Sequence, residues 1–507
     1  MLRNKLLIAI PLSLILCVGC SGNKDLFAPV EAPEIDDVID VDSVWSDSIG
    51  GSGKFFSTLT PAVSGKMIYA AGRNGDVYGI KSENGSKVWN TDLSDEEEND
   101  DKRSARLSGG VSVSGSKLAV GSENGYIYVL NTADGKIAWK NYIGSEITSI
   151  PTFSDSGQSL FVLDSLGRIS AFDTMTGERR WMSGSSSGAL RLRKQSSPVS
   201  LGDSYLLVGQ SDGKVSVIDQ LNGNILTEFT VGRKQGSNDL ERVSDVAATP
   251  LVLGSDMYTT AYNNGFVEFS LKDKVMKSQL AYQSSRNIAY DTNFFVITGD
   301  NGHVYCISRG DYVEQWENSR LSYRNVSAPA IYGNYVVVGD MEGYVYFLRL
   351  SDGSIEAMLD TDGTAINVAP IVDGSNLLVY TTGGDLECFR YDPIGAASSK
   401  AALAKAEFDT AGVGVSFSAT DSGSYSMGMT SEQLQQRRAE ANRIVSMIEA
   451  HERQVAAQKR EYERRKAEYE RQKAEYEKRI KEAEAERRQQ VSGFGLMPGV
   501  KSDSSAE

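Results

Sequence analysis

Residues 75–80 read GDVYGI, and the same shape returns as GYIYVL at 125–130, GRISAF at 167–172 and GKVSVI at 213–218. It continues as GFVEFS at 265–270, GHVYCI at 302–307, GYVYFL at 343–348 and GDLECF at 384–389. Successive glycines lie 50, 42, 46, 52, 37, 41 and 41 residues apart, so one unit is written eight times. Ahead of each copy stands another apolar run, such as KMIYAAG from Lys66 or FFVITGD from Phe294. Two such runs joined by a short Gly, Asn or Asp turn form a β-hairpin.

Along the second strand of each hairpin, one row reads Val77, Ile127, Ile169, Val215, Val267, Val304, Val345 and Leu386. Two residues on, the row is Gly79, Val129, Ala171, Val217, Phe269, Cys306, Phe347 and Cys388. Both rows are apolar or small throughout, as period-two burial requires. Cys306 and Cys388 are thereby expected to be core side chains in equivalent places and not a disulfide pair. An all-strand repeat of this length is the signature of a four-stranded propeller blade. The fold predicted is an all-β, eight-bladed β-propeller over residues 44–392, its last blade completed by a strand within 44–58. Closure removes the open sheet edges of a linear array.

Three repeats add a tryptophan four residues after a turn glycine: Gly85 and Trp89, Gly135 and Trp139, Gly177 and Trp181. The pattern fades at Leu226 and Phe229 and returns loosely at Trp316. Packing between neighbouring blades is the role expected of these rings.

The first nineteen residues have a basic start (Arg3, Lys5) and an apolar run to Val18, then Gly19 and Cys20. The run is too short to span a bilayer, which takes roughly 20 residues. Its layout is that of a secretory signal. It resembles a bacterial lipoprotein signal, which implies that residues 1–19 are removed and Cys20 carries lipid. Cys17 stands where leucine is commonest in that pattern, and Ser21 implies sorting to the outer membrane. Residues 20–43, acidic and holding Pro29 and Pro33, read as a tether.

The 507-residue chain carries a formal charge of −15. Between 430 and 490 there are 16 Lys and Arg against 13 Asp and Glu, so the remainder is near −18. A body that acidic is a poor partner for nucleic acid. Residues 393–429 are an Ala/Ser/Gly-rich linker. Residues 430–490 form a long charged helix, opened by Thr430 and Gln433 as a capping box. A single helix and a weak coiled coil both fit its pattern, since only one of two apolar stripes is kept. Residues 491–507 read as a disordered tail; a periplasmic partner, cell-wall material and another copy of the chain all fit the helix, and the sequence does not rank them.

Gly-x-[Val/Ile]-Tyr followed by Gly-x-x-x-Trp is similar to the repeat of pyrroloquinoline quinone-type propellers. Within these, an eight-bladed lipoprotein of this layout resembles the outer membrane protein assembly factor BamB family, over roughly residues 40–392. The resemblance implies a non-catalytic outer-membrane scaffold that faces the periplasm and works with BamA, other barrel-assembly components and unfolded β-barrel clients. LRLRKQSSPV at 190–199 looks like a family segment that contacts BamA, which implies Leu190, Leu192 and Arg193 as contact residues. Two leucines among basic residues could seat in an apolar groove, with Arg193 offering donors. The alternative is that one leucine is core and the arginines only solubilise the loop. LERVSDVAATPLV at 240–252 resembles a second family segment, which nominates Arg242 and Asp245, with a salt bridge within the blade as the alternative. Glu241 and Ala247 stand where that segment has aspartates.

Quinone-dependent propeller oxidoreductases and ligand-binding propellers share the repeat and form the alternative class. His303 and His451 cannot build a zinc site of several histidines, and both are expected to face solvent. The run DEEENDD at 95–101 lacks EF-hand spacing and reads as a solvated loop. No cofactor or metal is expected.

Overall fold

The computed structural model describes residues 27–391 apart from 36, 38, 40, 97–101, 185–189 and 235. Cys20, the signal, the linker, the helix with His451 and the tail lie outside the described residues. Eight four-stranded antiparallel blades are present, in the order the repeat predicts. Blade 1 holds Ala62–Ser64, Met67–Ala71, Asp76–Lys81 and Lys87–Asp92, and blade 7 holds Ala330–Tyr332, Tyr335–Gly339, Tyr344–Arg349 and Ile355–Asp360. Blade 8 takes three strands from the C-terminal side and its fourth, Val41–Ser48, from the N-terminal side, paired antiparallel to Asp385–Tyr391. The closing strand therefore starts three residues before the predicted boundary. Blade 2 gains a short parallel strand, Thr58–Leu59, on its inner edge.

The first predicted row is buried to 1% exposure or less in all eight copies. The opposite face of the same strands is buried too, at Ile80, Leu130, Phe172, Ile218, Phe266, Ile307, Leu348 and Phe389. A blade lies between two others, so its central strands have no solvent face. Cys306 and Cys388 are buried free thiols, pushed up by burial to about 12 and about 11.

All five tryptophans perform one task. Each donates its indole N–H to a turn carbonyl of the next blade: Trp45 to Ser82, Trp89 to Thr132, Trp139 to Thr174, Trp181 to Gln220 and Trp316 to Leu350, at 2.7–3.2 Å. The ring lies on the turn glycine there, Gly85, Gly135, Gly177, Gly223 or Gly353, where an added Cβ would come within 2.4–2.7 Å of it. The glycine that precedes a tryptophan in sequence thus serves the tryptophan of the blade before. Those glycines sit at φ of 70–76°. Blades 4 and 5 have no tryptophan, and the matching turn positions in blades 5 and 6 are Lys274 and Tyr312, also at positive φ. Where no ring has to be seated, a side chain is admitted.

The second predicted row follows from the same contact. Gly79, Val129, Ala171, Cys306 and Cys388 pair directly with Trp89, Trp139, Trp181, Trp316 and Trp45. An added Cβ on Gly79 would stand 2.5 Å from Trp89. Phenylalanine appears in this row only opposite Met276 and Ala357.

In every blade strands 1 and 3 run one way and strands 2 and 4 the other. The turns between strands 2 and 3 and the connections from one blade to the next therefore emerge together, on what we term the connecting face. On it, the acidic run starts a small ribbon, Asp95–Glu96 against Lys102–Arg103, with 97–101 outside the described residues. His303 corrects the solvent-facing expectation: it is half-buried, with Nδ1 2.6 Å from Glu317 and Nε2 2.8 Å from Ser322. The connection from blade 6 to blade 7 folds over it.

Replacing Trp139, 9% exposed, by Ala is expected to cost about 3–5 kcal/mol. Trp139→Phe, which keeps a ring but orphans the Thr174 carbonyl, is expected to cost about 1–2 kcal/mol. Gly177→Ala is expected to shift the denaturation midpoint in the same direction, and an unchanged midpoint would show that the ring is not seated there.

Candidate functional site

The connection from blade 3 to blade 4 carries Leu190, Leu192 and Arg193, and that from blade 4 to blade 5 carries Arg242 and Asp245. The structure joins the two. The backbone N–H of Leu192 donates to Asp245 Oδ2 at 2.6 Å, and Ser197 N–H donates to Thr249 Oγ1 at 3.2 Å. The first loop is also held from its other side, where Gln195 Nε2 donates to the Asp164 carbonyl at 2.9 Å and Thr148 Oγ1 donates to Gln195 at 3.1 Å.

Asp245 is 3% exposed, and its Oδ1 has no hydrogen-bond partner. Burial pushes its carboxyl up to about 6, against the opposing pull of the Leu192 N–H, Arg191 and Lys234. Desolvation here exceeds one hydrogen bond and two distant cations. Asp245 is thus a loop-fixing group and not a surface contact. Arg242 is exposed and turns its Nε to the Gly236 carbonyl at 3.2 Å, so the alternative of an ion pair between the two is not realised. Glu241 ties its own loop by accepting from Ser237 N–H at 2.5 Å. Ala247, standing where the resembled segment has an acid, is buried at 1% exposure.

Arg193 is half-exposed and already paired, 2.8 Å from Glu123 and 3.6 Å from Glu146. Its guanidinium carbon lies 5.8 Å from the centre of the Phe56 ring. Glu123 also accepts from Arg73 at 2.5 Å, so one carboxylate joins two arginines of separate blades. The leucines differ: Leu190 is 47% exposed, whereas Leu192 is half-buried. Lys194 reaches toward blade 6, where burial, then Arg286, push its ammonium down to about 7 against the pull of Asp300.

Beside this loop opens a cleft of about 650 Å³, lined by Glu123, Tyr142, Glu146, Leu166, Leu192 and Arg193 among others. Tyr142 and Leu166 are 63% and 45% exposed. The lining of the cleft is mixed, with Tyr142, Leu166 and Leu192 among polar groups and two charges of each sign, Glu123 and Glu146 against Arg191 and Arg193. Sequence reasoning missed Glu123, Tyr142 and Leu166. Their only signal is a place at the connecting face of blades 2 and 3, which no local motif marks.

A family model described as outer membrane protein assembly factor BamB matches residues 74–318. The protein of that name from Yersinia pestis is 31% identical over 394 residues, 76% of this chain and 99% of the relative. That from Shewanella oneidensis is 32% identical over 387 residues, 75% of this chain and 97% of the relative. Among solved structures, BamB from Moraxella catarrhalis aligns at a TM-score of 0.62 and 22% identity, covering 69% of this chain and all of that one. A europium-containing methanol dehydrogenase aligns at 0.54 and 13% identity, covering 69% and 93%. These structural likenesses show the propeller fold.

The raised Asp245 carboxyl gives a pH test. Its folded value of about 6 lies above the usual unfolded value near 3.9. Its contribution to stability is therefore full below pH 4 and lost as pH rises through 6. Asp245→Asn keeps an acceptor for Leu192 and removes the charge. Its stability relative to the unaltered chain is expected to improve from pH 4 to 7 and then level off, measured by denaturant midpoints. A pH-independent difference would refute the buried charge.

Proposed function

The chain belongs to the outer membrane protein assembly factor BamB family, and on that premise we propose that it is a non-catalytic scaffold in the assembly of outer-membrane β-barrel proteins. In this reading residues 1–19 are a removed signal, Cys20 carries lipid, and the propeller faces the periplasm from the outer membrane. BamA and other components of the machinery are its partners, and unfolded β-barrel chains are the clients. The long charged helix of 430–490 is an addition to this body.

The observation that carries the docking site is the loop of 190–195, pinned by Asp245, Asp164 and Thr148 beside the open cleft. A loop fixed before binding loses little freedom on docking, which favours affinity. Leu190 on the loop, with Tyr142 and Leu166 across the cleft, supplies exposed apolar anchors. Arg193 serves a second purpose, since its pairing with Glu123 holds the cleft wall. Reversing its charge would set three carboxylates together, which makes it a poor probe of contact.

The likeness to methanol dehydrogenase is one of fold alone, and fold does not decide chemistry. Titration with pyrroloquinoline quinone and calcium separates the classes: stoichiometric binding with dye reduction would count against the scaffold.

Leu190→Ala with Leu192→Ala is expected to lower the BamA recovered with the chain from solubilised outer membranes by about fivefold or more, the effect of losing an anchor worth over 1 kcal/mol. Undiminished recovery, with an unchanged denaturation midpoint, would remove this contact.

A further inference from the structure

The described residues of 27–39, read from sequence as tether, are laid against the propeller. Phe27 meets Tyr323 edge-on, with ring centres 5.6 Å apart. Val30 N–H donates to the Ser322 carbonyl at 3.1 Å. Its own carbonyl accepts from Arg324 Nη1 at 2.8 Å. Farther on, the Glu34 carbonyl accepts from Arg320 at 3.4 Å and Asp37 accepts from Met358 N–H at 3.0 Å. Ile35 packs on the buried cluster between blades 6 and 7, and Ile39 on that between blades 7 and 8. Val41–Ser48 then closes blade 8. The segment crosses the outer strand of blade 7 and covers that edge.

Arg324 is the centre of the latch. It is 1% exposed, and a buried cation requires every donor to be met. Asp340 takes Nε at 2.7 Å, Glu342 takes Nη2, and the Val30 carbonyl takes Nη1. Asp340 is itself fixed by Tyr346 and by the N–H groups of Glu342 and Tyr344, at 2.8–3.0 Å. Both charged partners come from blade 7, and the remaining direction is filled by the N-terminal strap. Detaching the strap would take this acceptor away from the guanidinium and uncover it.

We propose that this strap is a fixed strut which seats the blade 6–7 side of the connecting face against a lipid surface. The inference rests on the lipid anchor proposed at Cys20. Whatever their conformation, the seven peptide units from Cys20 to Phe27 span at most about 25 Å. Phe27, 70% exposed on the connecting face, is thereby held within that reach of the headgroups. In a closed ring of eight blades, the junction of blades 6 and 7 stands opposite that of blades 2 and 3, where the cleft opens. The strut therefore places lipid contact and partner contact at opposite sides of one face.

The test uses the full lipidated chain in phosphatidylethanolamine and phosphatidylglycerol vesicles that carry a headgroup energy acceptor. A donor dye is attached at Ser319→Cys, on the strap side, or at Leu166→Cys, across the ring. Cys306 and Cys388 are buried, which leaves the introduced thiol as the reactive one among the described residues. Transfer from position 319 is expected to exceed that from 166 several-fold, and a 12-residue Gly/Ser spacer inserted between residues 26 and 27 is expected to abolish the difference. In the unlipidated Cys20→Ser chain the Val30 amide is expected to exchange slowly with solvent. Equal transfer from both positions in a chain that incorporates labelled palmitate, or free exchange of the Val30 amide, would overturn the strut alone. Failure of the unaltered chain to incorporate labelled palmitate would overturn the anchor and, with it, this positioning.

Discussion

The seating of an indole ring on a bare backbone sets the spacing of this ring of blades. Five times a tryptophan on an outer strand reaches the next blade, donates one hydrogen bond to a turn carbonyl and lies flat on a glycine at φ of 70–76°. Two sequence constraints follow from that contact. The receiving residue can bear no side chain, and the strand neighbour of the ring must be small. Both are kept wherever the ring is present; where it is absent, the first is relaxed at Lys274 and Tyr312 and the second at Phe269 and Phe347, while Val217 in blade 4 stays small. Where tryptophan is missing between blades 4 and 5, Phe229 and Phe269 stack with centres 4.0 Å apart. Another aromatic pair fills the volume, as close packing requires.

Rigidity between blades is what fixes the loops of the connecting face. The loop of 190–195 takes its shape from three places: Thr148 in the connection from blade 2 to blade 3, Asp164 in blade 3, and Asp245 in the connection from blade 4 to blade 5. None of these attachments would hold position if blades slid past one another. The least comfortable of them is Asp245, a carboxyl buried to accept a backbone N–H while its other oxygen goes unpartnered. Its retention on the inside makes sense as loop positioning, since a surface contact would have left it solvated.

The fold was legible because the repeat is periodic in a residue whose reason is local. A turn glycine followed by an apolar strand is fixed by backbone geometry within a dozen residues, and eight copies multiply the signal. Trp45 was missed as a member of the tryptophan series because its strand comes from the other end of the chain and lacks a preceding glycine turn. Burial on both strand faces was under-read, since alternation describes a sheet with one wet side. At the site, the segments of 190–193 and 240–252 were singled out separately by resemblance, and their contact, 53 positions apart, has no sequence signature. Arg193 and Glu123 look like ordinary surface charges until the ring closes. Arg324 offered no signal at all, because a buried arginine and a solvated one are spelled alike.

The strap and the loop site show one principle at two scales. A segment that reads as solvent-exposed, acidic or basic, is captured when a buried polar group of the propeller needs its backbone: Asp245 takes the Leu192 amide, and Arg324 takes the Val30 carbonyl. In each case the unpaired group would be costly in a low-dielectric interior, so the interior chooses the conformation of the surface segment. A propeller with few apolar groups to spare at its loop ends can thus still fix its attachments by satisfying buried charge. In the scaffold role proposed above, those two captured segments set where the exposed side chains of the face stand.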